Sequence, residues 1–347
     1  MTRFSFPGAV VALLLSTMSA RADKIVLVAG GTQDAVGIPA VEAKLREPFG
    51  TAFDRAGNLW IIEMESGNRL LKVDRSGVLT HFAGQPKAGF SGNGGPALEA
   101  QFKGPHNLAI LPSGNVLIAD TFNGHLREVD VQAAIVNESP LQKPASSKPF
   151  CVALAFDGSQ VYVADLLRVY SLDLKSGAAK VIAGNGSKGA PPDGSVAANA
   201  PLLDPRAVAP DHHGNVYILE RNGNALLVVD PQGVIRTVVN ATGARGAAGD
   251  GGPALAATMN GPKHLCVDLD DSVIIADAEN NIVRRYQPKD GKITRIAGTG
   301  KKGAGGLGGD PLKCELARPH GVTVNPETGE LYITDSYNDR ILKIVKE

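Results

Sequence analysis

Short runs of alternating apolar and polar residues recur along the chain, and Gly, Asn or Asp closes most of them. Six segments share one plan: a proline, a short apolar strand, a turn, a strand rich in Val and Ile that ends in an acid, another turn and a third strand. The prolines that open them are Pro48, Pro105, Pro149, Pro205, Pro262 and Pro319. Strands of this length between Gly and Asn turns pair as antiparallel hairpins. The pattern therefore predicts six repeated β-units.

The two ends of the chain indicate how these units are arranged. A fourth strand follows most units, and four antiparallel strands make one blade of a propeller. The sixth unit ends after its third strand, residues 340–346, and a segment that matches the other fourth strands stands at residues 24–30. We therefore predict an all-β, six-bladed β-propeller, rather than an open solenoid, whose ring closes when the N-terminal strand joins the last blade.

The first 22 residues have the order of a secretory signal peptide. Arg3 precedes an apolar stretch over residues 8–15, and Ala20 and Ala22 form an A-x-A cleavage pattern. The stretch is too short for a membrane anchor. We predict a signal peptide over residues 1–22, a single propeller domain over residues 23–347, and a periplasmic or extracellular location. The alternative is a buried N-terminal helix.

Charge and cysteine content exclude several classes of partner and site. Lys and Arg number 35 and Asp and Glu also number 35, so nothing in the charge balance favours nucleic acid or an anionic membrane. The three cysteines, Cys151, Cys266 and Cys314, are too few and too irregularly spaced for a disulfide framework. Cys151 and Cys266 stand in apolar strand patterns, which predicts that they are buried.

Two segments resemble the NHL-repeat family of six-bladed propellers. They are Gly114–Asn123, followed by Val129 and Asp130, and Glu330–Ile341. The resemblance extends over the whole predicted domain and implies the fold. It implies no single function, because propellers serve both as binding modules and as enzymes.

In a propeller of this kind, the start of each first strand and the end of each second strand meet at one face, here called the top face. The acids that end the second strands occur once per blade, which predicts a structural role. They are Glu63, Asp120, Asp165, Glu220, Asp277 and Asp335. Their expected partners on the following hairpins are Arg69, His125, Arg168 and Arg340.

Long connectors also reach the top face. The segment Gly-Gly-Pro-Ala-Leu occurs at residues 94–98 and again at residues 251–255. It predicts a turn followed by a helical turn that begins at the proline. We interpret these copies as structural plugs whose Leu and following Phe or Met pack between blades.

The residue after each proline varies from blade to blade, as a binding site requires. These residues are Phe49, His106, Phe150, Arg206, Lys263 and His320. Alternate blades place their side chains around the axis, where they converge. We predict that His106, Arg206, Lys263 and His320 bind an anion such as a carboxylate, a sugar acid or an acidic peptide end. The alternative is that each His pairs with a neighbouring strand-end acid.

A metal site is a second interpretation of the same ring, because three histidines in alternate blades would hold zinc with an open position. Gly104–Leu108 and Arg318–Val322 resemble the Pro-His segments of the peptidyl-hydroxyglycine amidating lyases, which implies His106 and His320 as ligands of a divalent metal, zinc or calcium. Pro205–Val208 departs from that pattern, since Arg206 stays protonated and binds no metal.

Three functions follow from these observations. The first is an exported binding module that holds a small anionic ligand or a protein segment on its top face. The second is a metal-dependent lyase or hydrolase with its site at the mouth of the central pore. The third is a scaffold that binds a protein partner through its loops.

Overall fold

A computed structural model describes residues 23–141 and 148–346. The predicted signal peptide, residues 1–22, lies outside the described residues. The first elements in chain order are β1 (Lys24–Ala29) and the two-residue β2 (Ile38–Pro39). The strands then fall into six antiparallel sheets, as the sequence predicts.

Each sheet is one blade, and its strands run from the axis outward. Blade 1 contains β3 (Pro48–Phe53), β4 (Leu59–Glu63), β5 (Arg69–Val73) and β6 (Val78–Gly84), with β2 at its outer edge. Beyond β7 (Gly95–Pro96), blade 2 contains β8 (Asn107–Ile110), β9 (Val116–Asp120), β10 (His125–Asp130) and β11 (Ile135–Glu138). Blade 3 contains β12 (Cys151–Leu154), β13 (Gln160–Asp165), β14 (Arg168–Asp173) and β15 (Ala179–Ala183).

The second half of the ring repeats this plan. Blade 4 contains β16 (Pro205–Pro210), β17 (Val216–Glu220), β18 (Ala225–Val229) and β19 (Ile235–Val239). Blade 5 contains β20 (His264–Val267), β21 (Val273–Asp277), β22 (Ile282–Gln287) and β23 (Lys292–Ala297). Blade 6 contains β24 (Gly321–Val324), β25 (Leu331–Asp335), β26 (Arg340–Val345) and, as its outer strand, β1.

The closure of the ring is confirmed. β1 pairs antiparallel with β26, with Lys24 opposite Val345 and Leu27 opposite Leu342. The first and last parts of the chain therefore share one sheet. This closure leaves no blade without its fourth strand.

Burial follows from the packing of one blade on the next. The second strand of five blades is buried at every residue, because neighbouring blades cover both of its faces. The apolar Val, Ile and Leu residues of these strands form the clusters between blades. No helix in the described part of the chain is long and apolar enough to cross a membrane.

The six strand-end acids are structural. Each carboxylate is buried and accepts a hydrogen bond from a backbone N–H of the connector, one or two residues before the proline that opens the same blade. The donors are Arg46, Lys103, Lys148, Leu203, Asn260 and Ala317. Buried carboxylates that hold connector backbones in this way fix where each inner strand begins, and so position the top face.

The predicted partners of these acids are right in part. Arg69 pairs with Glu63 and Arg340 with Asp335, each at 2.7 Å. The prediction for His125 is wrong, because its Nδ1 lies 2.7 Å from Glu138 instead. Asp120 is paired instead with the fully buried Arg127, two residues further along the same strand, at 3.6 Å. Arg284 pairs with Asp277 at 3.5 Å in the same way.

Short 3₁₀ helices occupy the connectors and the turns after the second strands. They are η1 (Ala97–Glu99), η2 (Thr121–Asn123), η3 (Ala197–Asn199), η4 (Ala254–Ala256), η5 (Ala278–Asn280), η6 (Pro311–Lys313) and η7 (Ser336–Asn338).

The plug interpretation of the repeated connector needs one correction. Phe102 and Met259 are fully buried, as predicted, and so are the alanines that begin η1 and η4. Leu98 and Leu255, however, are half exposed. A single 3₁₀ turn has one inward face, and the small alanine occupies it, so the leucine that follows points outward.

Candidate functional site

The residues that follow the six prolines form a ring at the top end of the propeller axis. Their places are fixed by the first hairpin of each blade: the backbone N–H of His106 donates to the Ala119 carbonyl at 3.1 Å, and that of Lys263 to Ala276 at 3.0 Å. Together these residues line one cavity of about 300 Å³, which we call the top pocket. The structure thus brings His106, Arg206, Lys263 and His320 to one place.

His106 is a neutral imidazole. Its Nδ1 lies 2.8 Å from the carbonyl oxygen of Gly104, and because a carbonyl only accepts, Nδ1 carries the proton. Burial lowers the pKa of His106 to about 3, and the nearby Arg206, Lys263 and Arg221 lower it as well. His106 therefore contributes a hydrogen-bond acceptor, Nε2, rather than a positive charge. It does not pair with a strand-end acid, so that alternative is wrong for this residue.

His320 is also neutral. Burial holds its pKa well below the usual value, and Lys263 and Arg318 act in the same direction. Its ring stacks on Phe49 with 4.1 Å between ring centroids. Its Nδ1 is buried and has no hydrogen-bond partner among the described residues. An unpaired buried polar atom is costly, so His320 has an unused hydrogen-bonding position beside the top pocket.

Arg206 supplies a fixed positive charge. Its guanidinium carbon lies 3.8 Å above the ring of Phe150, and one of its terminal nitrogens is 3.4 Å from Asp204. Burial lowers the pKa of Arg206, but a guanidinium stays charged at any ordinary pH. Its Nε is buried without a partner in the described structure. The aromatic ring below it holds the guanidinium in place.

Lys263 lies among other cations. Burial, together with the charges of Arg221, Arg206 and Arg318, lowers its pKa to about 7, whereas Glu279 acts in the opposite direction. Like charges that crowd a half-buried lysine favour loss of its proton. An anion placed among these groups would relieve that repulsion.

Three cationic residues of the top pocket were not predicted. Lys148, Arg221 and Arg318 also line it. Each stands next to a landmark of the repeat: Lys148 and Arg318 directly precede a proline, and Arg221 directly follows the strand-end acid Glu220. The same ring argument, extended by one residue to these neighbouring positions, would have found them.

The mouth of the top pocket has an aromatic side. Phe122 and Tyr337 follow the second strands of blades 2 and 6 and line the pocket. Phe122 packs edge-on against His106, and the Tyr337 hydroxyl lies 2.5 Å from Arg318, which also pairs with Glu279. Glu47 is the only acid among the residues that line the described pocket.

The floor of the top pocket closes the axial channel. The side-chain amide of Asn107, in blade 2, lies 2.8 Å from Nε2 of His264, in the opposite blade 5. The oxygen of that amide accepts the backbone N–H of Val152 at 3.1 Å. Below this contact a second cavity of about 330 Å³, the bottom cavity, opens at the other end of the axis.

The predicted metal ligands His106 and His320 both lie at the top pocket. In blade 4, the third of the alternate blades, the corresponding residue is Arg206. Within residues 23–141 and 148–346, no group of three or more His, Cys, Asp or Glu side chains is arranged to hold a metal. Four cations, Arg206, Arg221, Lys263 and Arg318, surround the two imidazoles. This donor set does not fit a divalent cation.

The cysteines lie elsewhere. Cys151, Cys266 and Cys314 are free thiols, and Cys151 and Cys314 are buried. Cys266 is only partly buried and lines the bottom cavity, so the prediction of burial is confirmed for Cys151 and only partly for Cys266. Burial raises the pKa of Cys151 to about 12.

Comparison with known sequences finds a repeat near the C-terminus and a local similarity to a much longer protein. Residues 316–344 match the NHL repeat. Teneurin-1 of mouse is 29% identical over 119 residues, which is 31% of this chain. The match spans only 4% of teneurin-1 itself.

Comparison with solved structures shows the fold. An auxiliary nutrient binding protein from Bacteroides thetaiotaomicron superposes with a TM-score of 0.69 at 15% identity, over 94% of this chain and 77% of that protein. Virginiamycin B lyase from Staphylococcus aureus superposes with a TM-score of 0.53 at 16% identity, over 93% of this chain and 99% of the lyase. A binding protein and an enzyme thus share this architecture.

Proposed function

Because the chain is a six-bladed β-propeller that carries an NHL repeat, we propose that it is an exported binding protein whose top pocket holds a small anionic ligand. The observation that carries the proposal is the cluster of Lys148, Arg206, Arg221, Lys263 and Arg318 around one cavity with a single acid in its lining. A concave pocket with few, convergent polar groups is the usual form of a small-molecule site.

The two imidazoles complete the site without adding charge. His106 offers Nε2 as an acceptor, and His320 has a buried Nδ1 that lacks a partner in the described structure. The cations attract the acidic group, and the imidazoles leave uncharged hydrogen-bonding atoms beside it. The nutrient binding protein with the same architecture supports a binding role.

The test is a titration of the purified protein with carboxylates and with their neutral amides. Isothermal titration calorimetry should detect the acids and fail to detect amides of the same shape, because only the acids use the cationic cluster. Equal binding of acid and amide, or no binding of any carboxylate, would overturn the proposal.

A metal-dependent lyase or hydrolase, the second function that the sequence predicts, is the weaker candidate: both imidazoles are neutral, as histidine ligands must be, but Arg206 stands in the third position and four cations surround them. Elemental analysis of protein purified without chelators separates the two functions. Stoichiometric zinc or calcium that is lost from a His106→Ala variant would favour the enzyme, whereas a metal-free protein that binds carboxylates supports the binding role.

The proposed export has its own test. The protein is expressed in full length, and the N-terminal sequence of the protein recovered outside the cytoplasm is determined. A mature chain that begins at Asp23 supports the signal peptide over residues 1–22. Retention of residue 1 on cytoplasmic protein contradicts it.

A further inference from the structure

The top pocket has two chemically different halves. Blades 6, 1 and 2 line it with imidazole, aromatic and thioether side chains: Tyr337, His320, Phe49, Met64, His106 and Phe122. Blades 3, 4 and 5 line it with Lys148, Arg206, Arg221 and Lys263, and with Phe150 beneath Arg206. Arg318 lies at the border between blades 5 and 6. The positive charge of the pocket is therefore concentrated on the side formed by blades 3, 4 and 5.

The aromatic rings fall into two groups by exposure. Phe49 and Phe150 are buried, and His320 and Arg206 cover their faces at 4.1 Å and 3.8 Å. Phe122 is 37% exposed and Tyr337 is 46% exposed. The buried rings hold the polar side chains in place. At the mouth, Phe122 and the part of the Tyr337 ring that Arg318, at 4.7 Å, and Lys302, at 5.7 Å, leave uncovered offer apolar surface to a ligand.

An acid stands across the pocket from the cations. Glu47, in blade 1, is opposite blade 4 with Arg206 and Arg221. It accepts hydrogen bonds from Ser66, and burial raises its pKa, as do the neighbouring Glu65 and Asp339. A ligand with a second anionic group on this side would meet like charge.

The size of the top pocket limits the ligand as well. A cavity of about 300 Å³ is at the small end of the range for small-molecule sites, of about 300–1,000 Å³. It holds an acidic group and one ring or short chain, and it excludes a folded segment.

We propose that the ligand of the top pocket is a small amphipathic monocarboxylate. Its acid group lies among Arg206, Arg221 and Lys263, and its apolar part covers Phe122 and Tyr337. This inference rests on the proposed function and adds the class of the ligand: one acid, at one end of an apolar body.

The experiment compares three probes by isothermal titration calorimetry on the predicted mature chain, residues 23–347. Phenylacetate carries one acid and a ring, acetate carries the acid alone, and adipate carries two acids on an apolar chain of matched heavy-atom count. We expect phenylacetate to bind at least tenfold more tightly than either of the others, since only phenylacetate satisfies both halves of the pocket.

Two variants make the test specific to the mouth. Phe122→Ala should weaken phenylacetate about tenfold and leave acetate unchanged. Phe156→Ala is the matched control, because Phe156 is also an exposed phenylalanine, 52% accessible, but lines the bottom cavity. It should change neither affinity. Thermal unfolding of each variant verifies that the fold is intact.

The outcomes separate the two proposals. If acetate, adipate and phenylacetate bind equally and Phe122→Ala has no effect, the amphipathic ligand class is overturned while anion binding stands. If adipate binds most tightly, the ligand is a dianion, and the inference also fails. If no carboxylate binds, the proposed function itself fails.

Discussion

The two ends of the propeller axis are built from the same six inner strands, yet they have opposite chemistry. The top pocket is lined by Arg206, Lys263 and their cationic neighbours, whereas the bottom cavity is lined mainly by small apolar residues. Four of these occupy matching places in blades 1 to 4: Ala52, Ala109, Ala153 and Ala209. The residue after each proline varies, whereas the residue three positions further is alanine in four of the six blades, so the charged side chains are concentrated at the top end.

A polar contact between opposite blades separates the top pocket from the bottom cavity. Asn107 and His264 meet across the axis, and burial lowers the pKa of His264 to about 4, so it is neutral. The contact joins opposite blades and closes the channel, which keeps the charged end apart from the apolar end.

The largest effect is expected at the charged end. Arg206→Gln should weaken phenylacetate binding about 100-fold, because hydrogen bonds to a charged group contribute up to about 3 kcal/mol. Calorimetric titration measures the change, and Arg206→Lys should recover part of it. Arg236→Gln, an exposed arginine of blade 4 paired with Asp230, is the matched control. Equal affinity of the wild type and the Arg206→Gln variant would contradict binding of phenylacetate in the top pocket.

The next effect concerns the contact between the ends. Asn107→Ala leaves the backbone N–H of Val152 unpaired and removes the partner of His264, so the free energy of unfolding should fall by about 2 kcal/mol. Urea unfolding measures the change. Asn115→Ala, in the turn between β8 and β9 of the same blade, is the control, since its amide pairs with the partly exposed Glu128 away from the axis. A stability loss no larger than that of the control would show that the axial contact is dispensable.

The pH dependence of binding should be smaller and should come from Lys263. Its pKa of about 7 in the free protein rises when an anion binds, so above pH 7 binding must take up a proton. The affinity for phenylacetate should fall about tenfold from pH 7.5 to 8.5. The charged groups that face Lys263 are Arg206, Arg221, Arg318 and Glu279, and burial keeps the neighbouring His106 and His320 neutral.

Variants at Lys263 verify the source of this dependence. Lys263→Gln should bind more weakly at pH 7 but with a flat profile, and Lys263→Arg should keep tight binding through pH 8.5. The stability of the ligand-free protein depends on pH in the opposite direction. The pKa of Lys263 is about 7 in the folded protein and 10.5 in the unfolded chain, so the free energy of unfolding rises with pH between 7 and 10. A wild-type affinity independent of pH would contradict the role given to Lys263.

The smallest effect is expected at the apolar end. Cys266→Ala changes the lining of the bottom cavity without touching the top pocket, so phenylacetate affinity should change less than about twofold. The same titration measures it. A tenfold loss would mean that the two ends are coupled through the axis and that the ligand does not act at the top alone.

The fold could be predicted from the sequence because each repeat has recognisable local residue patterns. Six prolines, six strand-end acids and the displaced strand at residues 24–30 each have a local signature, and their sum defines a closed ring. The four candidate residues were found by the same logic, since the position after each proline is a ring position.

The rest of the site depended on three-dimensional surroundings. The neutrality of His106 and His320 comes from burial and from cations supplied by other blades, which no local pattern shows. The contact of His264 with Asn107 joins residues of opposite blades, 157 positions apart in the chain, and no local pattern shows it. Leu98 was expected to be buried, and a one-turn helix exposes it.

The most direct test is the crystal structure of residues 23–347 with para-bromophenylacetate, in which anomalous scattering locates the bromine atom. We expect one bromine site at the mouth of the top pocket beside Phe122 and Tyr337, with the carboxylate toward Arg206 and Lys263. A bromine site in the bottom cavity, or a top pocket that remains empty at a saturating concentration of the compound, would contradict the account.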